Sequence, residues 1–144
     1  MAEQLDRIDD DELLYRRIPT QPDYYNPAVD PRPAQLAFRP RKYDLDGLSL
    51  TRARFHDSPG AAAANLREKR YYIAVLRAGD LREAGMAVEP NPLPDDPGHA
   101  VLPDLVYESR KTAESLERQV LLAEKLCREV VGPFPPEGEE PKDR

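Results

Sequence analysis

A chain of 144 residues with one cysteine and two histidines is long enough to bury a core unaided, can form no internal disulfide, and is poorly supplied for the four-ligand site of a structural zinc. Its net charge of −6 argues against binding a nucleic-acid backbone, although "FRPRK" (Phe38 to Lys42) and "TRARF" (Thr51 to Phe55) gather basic residues locally. No apolar run approaches the ~20 residues of a membrane span, and the acidic opening "MAEQLDRIDDDELL" lacks the basic-then-apolar character of a secretory signal, so a cytoplasmic protein is expected.

Sixteen prolines punctuate the chain, six between Pro19 and Pro40, five between Pro90 and Pro103 and four between Pro133 and Pro141. Proline fixes φ and donates no backbone hydrogen bond, so these blocks predict extended loops. Residues 1–11 read as an acidic tail. "ELLYRRI" (Glu12 to Ile18) reads as a strand confined between that tail and Pro19. A Pro-rich arm follows over residues 19–42, longer than compact domains tolerate as bare loop. It either wraps the core, pinned by Tyr24, Tyr25 and Phe38, or binds a partner.

"GLSLTRARF" leaves the Asp46-Gly47 turn as an alternating strand, with Leu48, Leu50, Arg52 and Arg54 on one face and Ser49, Thr51, Ala53 and Phe55 on the other. "SPGAAAANLREKR" starts a short helix with Ser58 as cap and Pro59 in the first helical position. "YYIAVLRA" is aromatic and branched, which predicts a strand. "GDLREAG" gives one helical turn capped by Asp80 and ended by Gly85, and "MAVEP" and "HAVLP" give two short strands. From Thr112 to Val131 a long helix is expected, its buried stripe built on Ala113, Leu116, Val120, Ala123, Cys127 and Val130. Gly132-Pro133 should stop it, leaving residues 132–144 as a disordered Pro/Glu-rich tail. The order is not a regular βαβ alternation. It predicts a single α+β domain over residues 12–131, with a mainly antiparallel or mixed sheet, a short central helix and a long C-terminal helix packed on it.

The candidate chemistry is sparse. His99 follows the acidic loop "PDDPG", where Asp95 or Asp96 could fix its tautomer for acid–base work, while the same residues also make a plain tight turn. His56 lies at a strand-to-helix junction, a common place for active residues and equally for an exposed loop histidine. Arg16 and Arg17 are consecutive in an apolar strand, so one must face inward unless the strand is an edge, and a buried arginine needs an anionic partner. Pairing of this strand with the one carrying Arg52 would gather arginines on a small surface suited to an anionic ligand or an acidic segment. No Gly-rich phosphate loop and no nucleophile elbow around Ser49 or Thr51 is present, and Cys127 sits on the apolar stripe as an inert thiol.

From Gly47 to about Leu105 the order of "GLSLTRA", "SPGAAAA", "YYIAVLRAGDLREAG" and "HAVLP" resembles the core of small ADP-ribosyltransferase-fold proteins, tRNA 2′-phosphotransferases and more loosely RES-domain NAD-degrading toxins. "LYR" (Leu14 to Arg16) is similar to the first-strand signature of RES domains. "GLSLT" carries no histidine, in contrast to the strand motif of the phosphotransferases, and the glycine pair and tryptophan of RES domains are replaced by the Pro-rich arm. The resemblance implies an NAD-using enzyme with Arg16 contacting the cofactor and Ser49 beside the nicotinamide. The segments "LYRRIP", "FRP" and "DGLS" also resemble small bacterial proteins, a likeness to which no activity attaches.

The expected function is therefore a binding module that uses an arginine-bearing strand and the Pro/aromatic arm, with a protein or a small anionic molecule as partner and with no cofactor, metal, membrane or nucleic acid. The alternative is the NAD-using enzyme. Arg16, Ser49, His56 and His99 are its catalytic candidates, and Arg16 and Arg52 the contacts for the cofactor.

Overall fold

The computed structural model describes residues 7–64 and 69–136. Its strands are β1 (Leu13–Pro19), β2 (Leu48–Arg52), β3 (Tyr71–Arg77), β4 (Glu89–Pro90), β5 (His99–Leu102) and β6 (Glu129–Phe134). They form one sheet in the order β4-β5-β2-β1-β3-β6, every neighbouring pair antiparallel. Its helices are α1 (Pro59–Ala63), α2 (Ala78–Glu83) and α3 (Ala113–Leu121), the last prolonged by a π-helical turn over Leu122–Leu126. This is the α+β architecture that the sequence implies.

Alternation along the strands sorts the side chains between two faces. Leu14, Ile18, Leu48, Leu50, Ala74, Leu76, Ala100 and Leu102 enter the main core with Phe38, Leu105 and Leu122. On the opposite face Tyr15, Ile73 and Val75 pack under Ala62 and Ala63 of α1. That helix starts as its sequence requires, with the Ser58 hydroxyl accepting from the Ala61 amide at 3.1 Å and Pro59 following the cap. It is too short to cover the whole face. The β2 and β5 half is left open, and the candidate site lies there.

The Pro-rich arm wraps the core. Phe38 is fully buried, Pro33 and Pro40 are buried, and the Tyr25 ring meets Tyr72 edge-on at 4.8 Å. Gln35 pairs with Gln119 of α3. Gly47 then turns the chain into β2 with φ 141°, where a Cβ would lie 2.5 Å from the Leu102 carbonyl oxygen. Glycine is what lets β2 lie against β5.

Several sequence expectations give way. The last helix ends at Leu126, and Glu129–Phe134 is a strand on β3, not helix and tail. Val130 and Val131 are β-branched, and the outer edge of β3 offers backbone partners that a continued helix could not use. The buried side of α3 carries Ser115 and Gln119, while Leu116 and Val120 are more than a third exposed and Ala113 is exposed. Polar bonds decide this, because the Gln119 amide donates to the Arg110 carbonyl at 3.0 Å and to Ser115 Oγ at 3.0 Å.

β2 stops at Arg52 and turns over Ala53–Phe55, so Arg54 leaves the sheet. Asp80 caps nothing and instead accepts from Arg77 and Arg128. Ile8 is in the core and Asp10 and Asp11 pair with Arg82 and Arg77, so the domain begins before Glu12. Residues 1–6 and 137–144 of the expected tails lie outside the described residues.

Candidate functional site

β1 pairs with β3 along its whole length, seven registers from Leu13↔Arg77 to Pro19↔Tyr71. With β2 it pairs at only two, Leu14↔Arg52 and Tyr15↔Thr51. At the same register Arg16 would next stand opposite Leu50 and Arg17 opposite Ser49. Instead β2 stays on β5 through Leu48↔Leu102 to Thr51↔His99, and the two central strands part. A cleft of about 600 Å³ opens at the parting, in the range of small-molecule sites. Register places His99, Thr51 and Tyr15 in one row across its floor.

Arginines line one side. Arg16 shares a face with Leu14 and Ile18 and is 8% exposed, yet it lines the cleft through the gap between the strands. Its Nε donates to the Ala37 carbonyl at 3.0 Å and its Nη1 to the Ser49 carbonyl at 2.9 Å. These bonds stand in for the missing ladder. Among the described residues no carboxylate pairs with it, and no buried side-chain nitrogen or oxygen lacks a partner. Its Nη2 has no acceptor among the described residues and is not fully buried, and Arg16 lines the cleft. Burial pulls the Arg16 pKa down from its ordinary value, the nearby charge of Asp44 opposes this and that of Arg41 adds to it. Arg17, on the other face, donates to the Ala62 carbonyl of α1 at 2.7 Å and lines the same cleft. Arg41 and Tyr43 close it from the end of the arm. The buried Asp44 carboxylate accepts from the Ser49 hydroxyl at 2.7 Å and from the Arg41 amide at 2.7 Å, which fixes the arm against β2.

Across the cleft stands the acidic loop. Leu93 and Asp96 bond to each other through their backbones, and the His99 amide donates to the Asp96 carbonyl at 3.0 Å. The loop is thus a tight turn and also a wall. Asp96 Oδ1 accepts from the Thr51 hydroxyl at 2.9 Å, which leaves that oxygen to accept from His56 Nε2 at 2.8 Å. Thr51 is consequently committed as a donor to a carboxylate and is not activated by a basic imidazole. Burial holds the His56 pKa below the ordinary value, the charge of Asp96 opposing and that of Arg17 adding. His99 is arranged differently. Its Nδ1 lies 2.8 Å from the Asn91 carbonyl, which can only accept, so Nδ1 carries a proton, and in the neutral ring Nε2 holds the lone pair. His99 lines the cleft, and that lone pair is its means of accepting a proton there.

Of the residues singled out from sequence, Arg16, Ser49 and His99 line one cleft. His56 stands one hydrogen bond behind it. Arg52 does not belong to it: its guanidinium pairs with Glu12 at the other end of the β1–β2 contact, where it is 2% exposed. Cys127 is elsewhere, its thiol pushed up to about 11 by burial. Sequence reasoning passed over Arg41, Tyr43 and Asp44. "FRPRK" drew notice as a basic cluster, but nothing local says that the end of an arm returns to the parting of two strands. Among the described residues no group of three or more His, Cys, Asp or Glu side chains is placed to hold a metal, and no helix is long and apolar enough to cross a membrane. Set against protein-family models, curated proteins and solved structures, the chain matches none.

Proposed function

We propose that the protein is a binding module for a small organic anion of about nucleotide size, held in the cleft between β1 and β2 with Arg16 as its charge anchor. One observation carries this reading. A guanidinium on a central strand is buried with carbonyl partners only and no carboxylate. Burying a cation that way costs several kcal/mol, and an anion in the cleft would add to the partial compensation that the nearby Asp44 gives. Tyr43, Tyr71 and Leu93 supply surface for an apolar or aromatic portion of the ligand. The arm contributes its Arg41–Tyr43 end, its middle being taken up by packing. A cytoplasmic setting belongs to the same reading, as does a small molecule in preference to a protein partner, because the anchor is recessed.

Backbone NMR shifts on titration with adenosine monophosphate, with adenosine as control, test the proposal. The expected result is a set of shifts at Arg16, Ser49, His99 and Arg41 with the nucleotide, and far smaller ones with the nucleoside. Shifts elsewhere, or equal responses to both, would refute it.

A second reading, an NAD-consuming enzyme of ADP-ribosyltransferase type, is favoured by the convergence of Arg16, Ser49 and His99 on one cleft. In that reaction the bond from ribose to nicotinamide breaks, nicotinamide leaves, and an acceptor or water takes its place with His99 Nε2 receiving the acceptor's proton. Release of nicotinamide that His99→Asn removes would establish it. No release at millimolar NAD would leave binding alone.

A further inference from the structure

Most of the described arginines of this acidic chain fall into two groups. Arg32, Arg52, Arg54, Arg77, Arg82 and Arg128 each lie within 4.0 Å of a carboxylate. Arg16, Arg17, Arg39, Arg41 and Arg110 have no such partner among the described residues, and all five line a cavity. Arg7 and Arg118 also have no carboxylate partner among the described residues and line neither cavity. The unpaired charges are thus mostly gathered where a ligand could meet them.

They divide between two neighbouring spaces. Beside the cleft is a groove of about 200 Å³, lined by Arg39, Arg41, Arg110, Tyr24 and Tyr107. Arg41 lines both spaces. Within the groove the Arg110 guanidinium lies over the Tyr107 ring, 3.7 Å from its centroid, and its Nη1 donates to the Tyr107 carbonyl at 2.9 Å. The Arg41 guanidinium lies 4.9 Å from the Tyr24 ring centroid. Stacking holds each plane in place and leaves N–H edges free. The side chains of Arg39 and Arg41 make no hydrogen bond to a described residue. Asp44 joins the walls: beyond its bonds to Ser49 and Arg41, its carbonyl accepts from the Tyr107 amide at 3.2 Å. Its carboxylate is satisfied by those donors and is buried, so it does not fill the groove.

We propose that the groove is a second anion subsite, which takes a further phosphate of the ligand anchored in the cleft, with Arg41 shared between the two. The inference rests on the proposed cleft function and names the ligand class as a nucleoside polyphosphate. A single phosphate reaches one space, whereas a chain of phosphates passes Arg41 and engages Arg39 and Arg110. Forked guanidinium donors suit phosphate oxygens, and the pocket wall of tyrosines and Leu93 suits the nucleoside.

Calorimetry on the full chain at fixed ionic strength tests this with adenosine monophosphate, adenosine triphosphate and inorganic tripolyphosphate. The triphosphate is expected to bind at least roughly tenfold more tightly than the monophosphate. Arg39→Gln combined with Arg110→Gln should erase that advantage and leave monophosphate affinity within about twofold, while Arg16→Gln weakens both. If the double variant fails to fold by thermal denaturation, Arg39→Gln alone serves, since its side chain makes no internal bond. Equal affinity of the two nucleotides, or an advantage that survives the variants, overturns the second subsite and leaves the cleft reading intact. Tripolyphosphate binding as tightly as the nucleotide overturns the nucleoside class. Failure of every probe to bind at millimolar concentration removes both readings together.

Discussion

The two ends of the β1–β2 contact bury an arginine each, and they treat it in opposite ways. At the paired end Arg52 is 2% exposed and meets the carboxylate of Glu12, with a further bond from Nη2 to the Arg7 carbonyl at 3.0 Å. At the parted end Arg16 is 8% exposed and meets two carbonyls, with an edge left toward the cleft. A charge neutralised inside the protein is architecture. A charge held in place by carbonyl dipoles, with only the nearby Asp44 and no paired carboxylate, is what the proposed ligand would complete. The difference between the two lies in partners more than in burial.

The largest effect is expected where the comparison is broken at its structural end. Glu12→Gln strands the Arg52 charge and should cost about 3–5 kcal/mol, read from urea denaturation. Arg16→Gln is the converse. It gives up two bonds to carbonyls but also a buried charge with no paired carboxylate, so stability should change by less than about 1.5 kcal/mol. A loss as large as that of Glu12→Gln would erase the distinction between the two ends.

A smaller effect sharpens the wall held by α1. Ser58→Ala removes the cap of the helix whose Ala62 carbonyl holds Arg17, and should cost about 1 kcal/mol of stability. It should also shift the amide signals of Arg17 and Ala62 while leaving those around Arg52 in place.

The smallest effect concerns pH. His56 has its pKa below the ordinary imidazole value of 6.5, first through burial and then through Arg17, with Asp96 opposing. On acidification the unfolded chain takes up this proton before the folded chain does. The stability that the neutral His56 contributes is therefore complete above the ordinary value and is lost as pH falls below it. His56→Gln should flatten the change in urea midpoint between about pH 7.5 and pH 5.5, and an unchanged slope would show that the imidazole is not the group responsible.

Much of this fold was legible because local rules and tertiary packing agree over most of it. "YYIAVLR" is a strand by composition and a central strand by position, and Ser58-Pro59 opens a helix by capping chemistry alone. Where the two disagree, packing wins. Val130 and Val131 continue a helical pattern in the sequence but are drawn onto the free edge of β3, and Gln119 turns an apparently polar side of α3 inward because Ser115, Arg110 and Gln35 satisfy it. The site was half legible. Arg16 and Ser49 were named together only through the resemblance to ADP-ribosyltransferase-fold proteins, and His99 entered with the acidic loop. The parting of β1 from β2 is a matter of register between residues far apart in sequence, and no local pattern announces it. Arg52 was misplaced for the same reason: the cleft closes before reaching it.

The central claim is that Arg16 is an anion anchor and not a structural charge. The most direct test measures adenosine monophosphate affinity and urea stability together in the wild type and in Arg16→Gln, at one ionic strength. Affinity should fall by roughly tenfold or more while the urea midpoint stays close to that of the wild type. Undiminished affinity in the variant, or a loss of binding that merely follows unfolding, would contradict it.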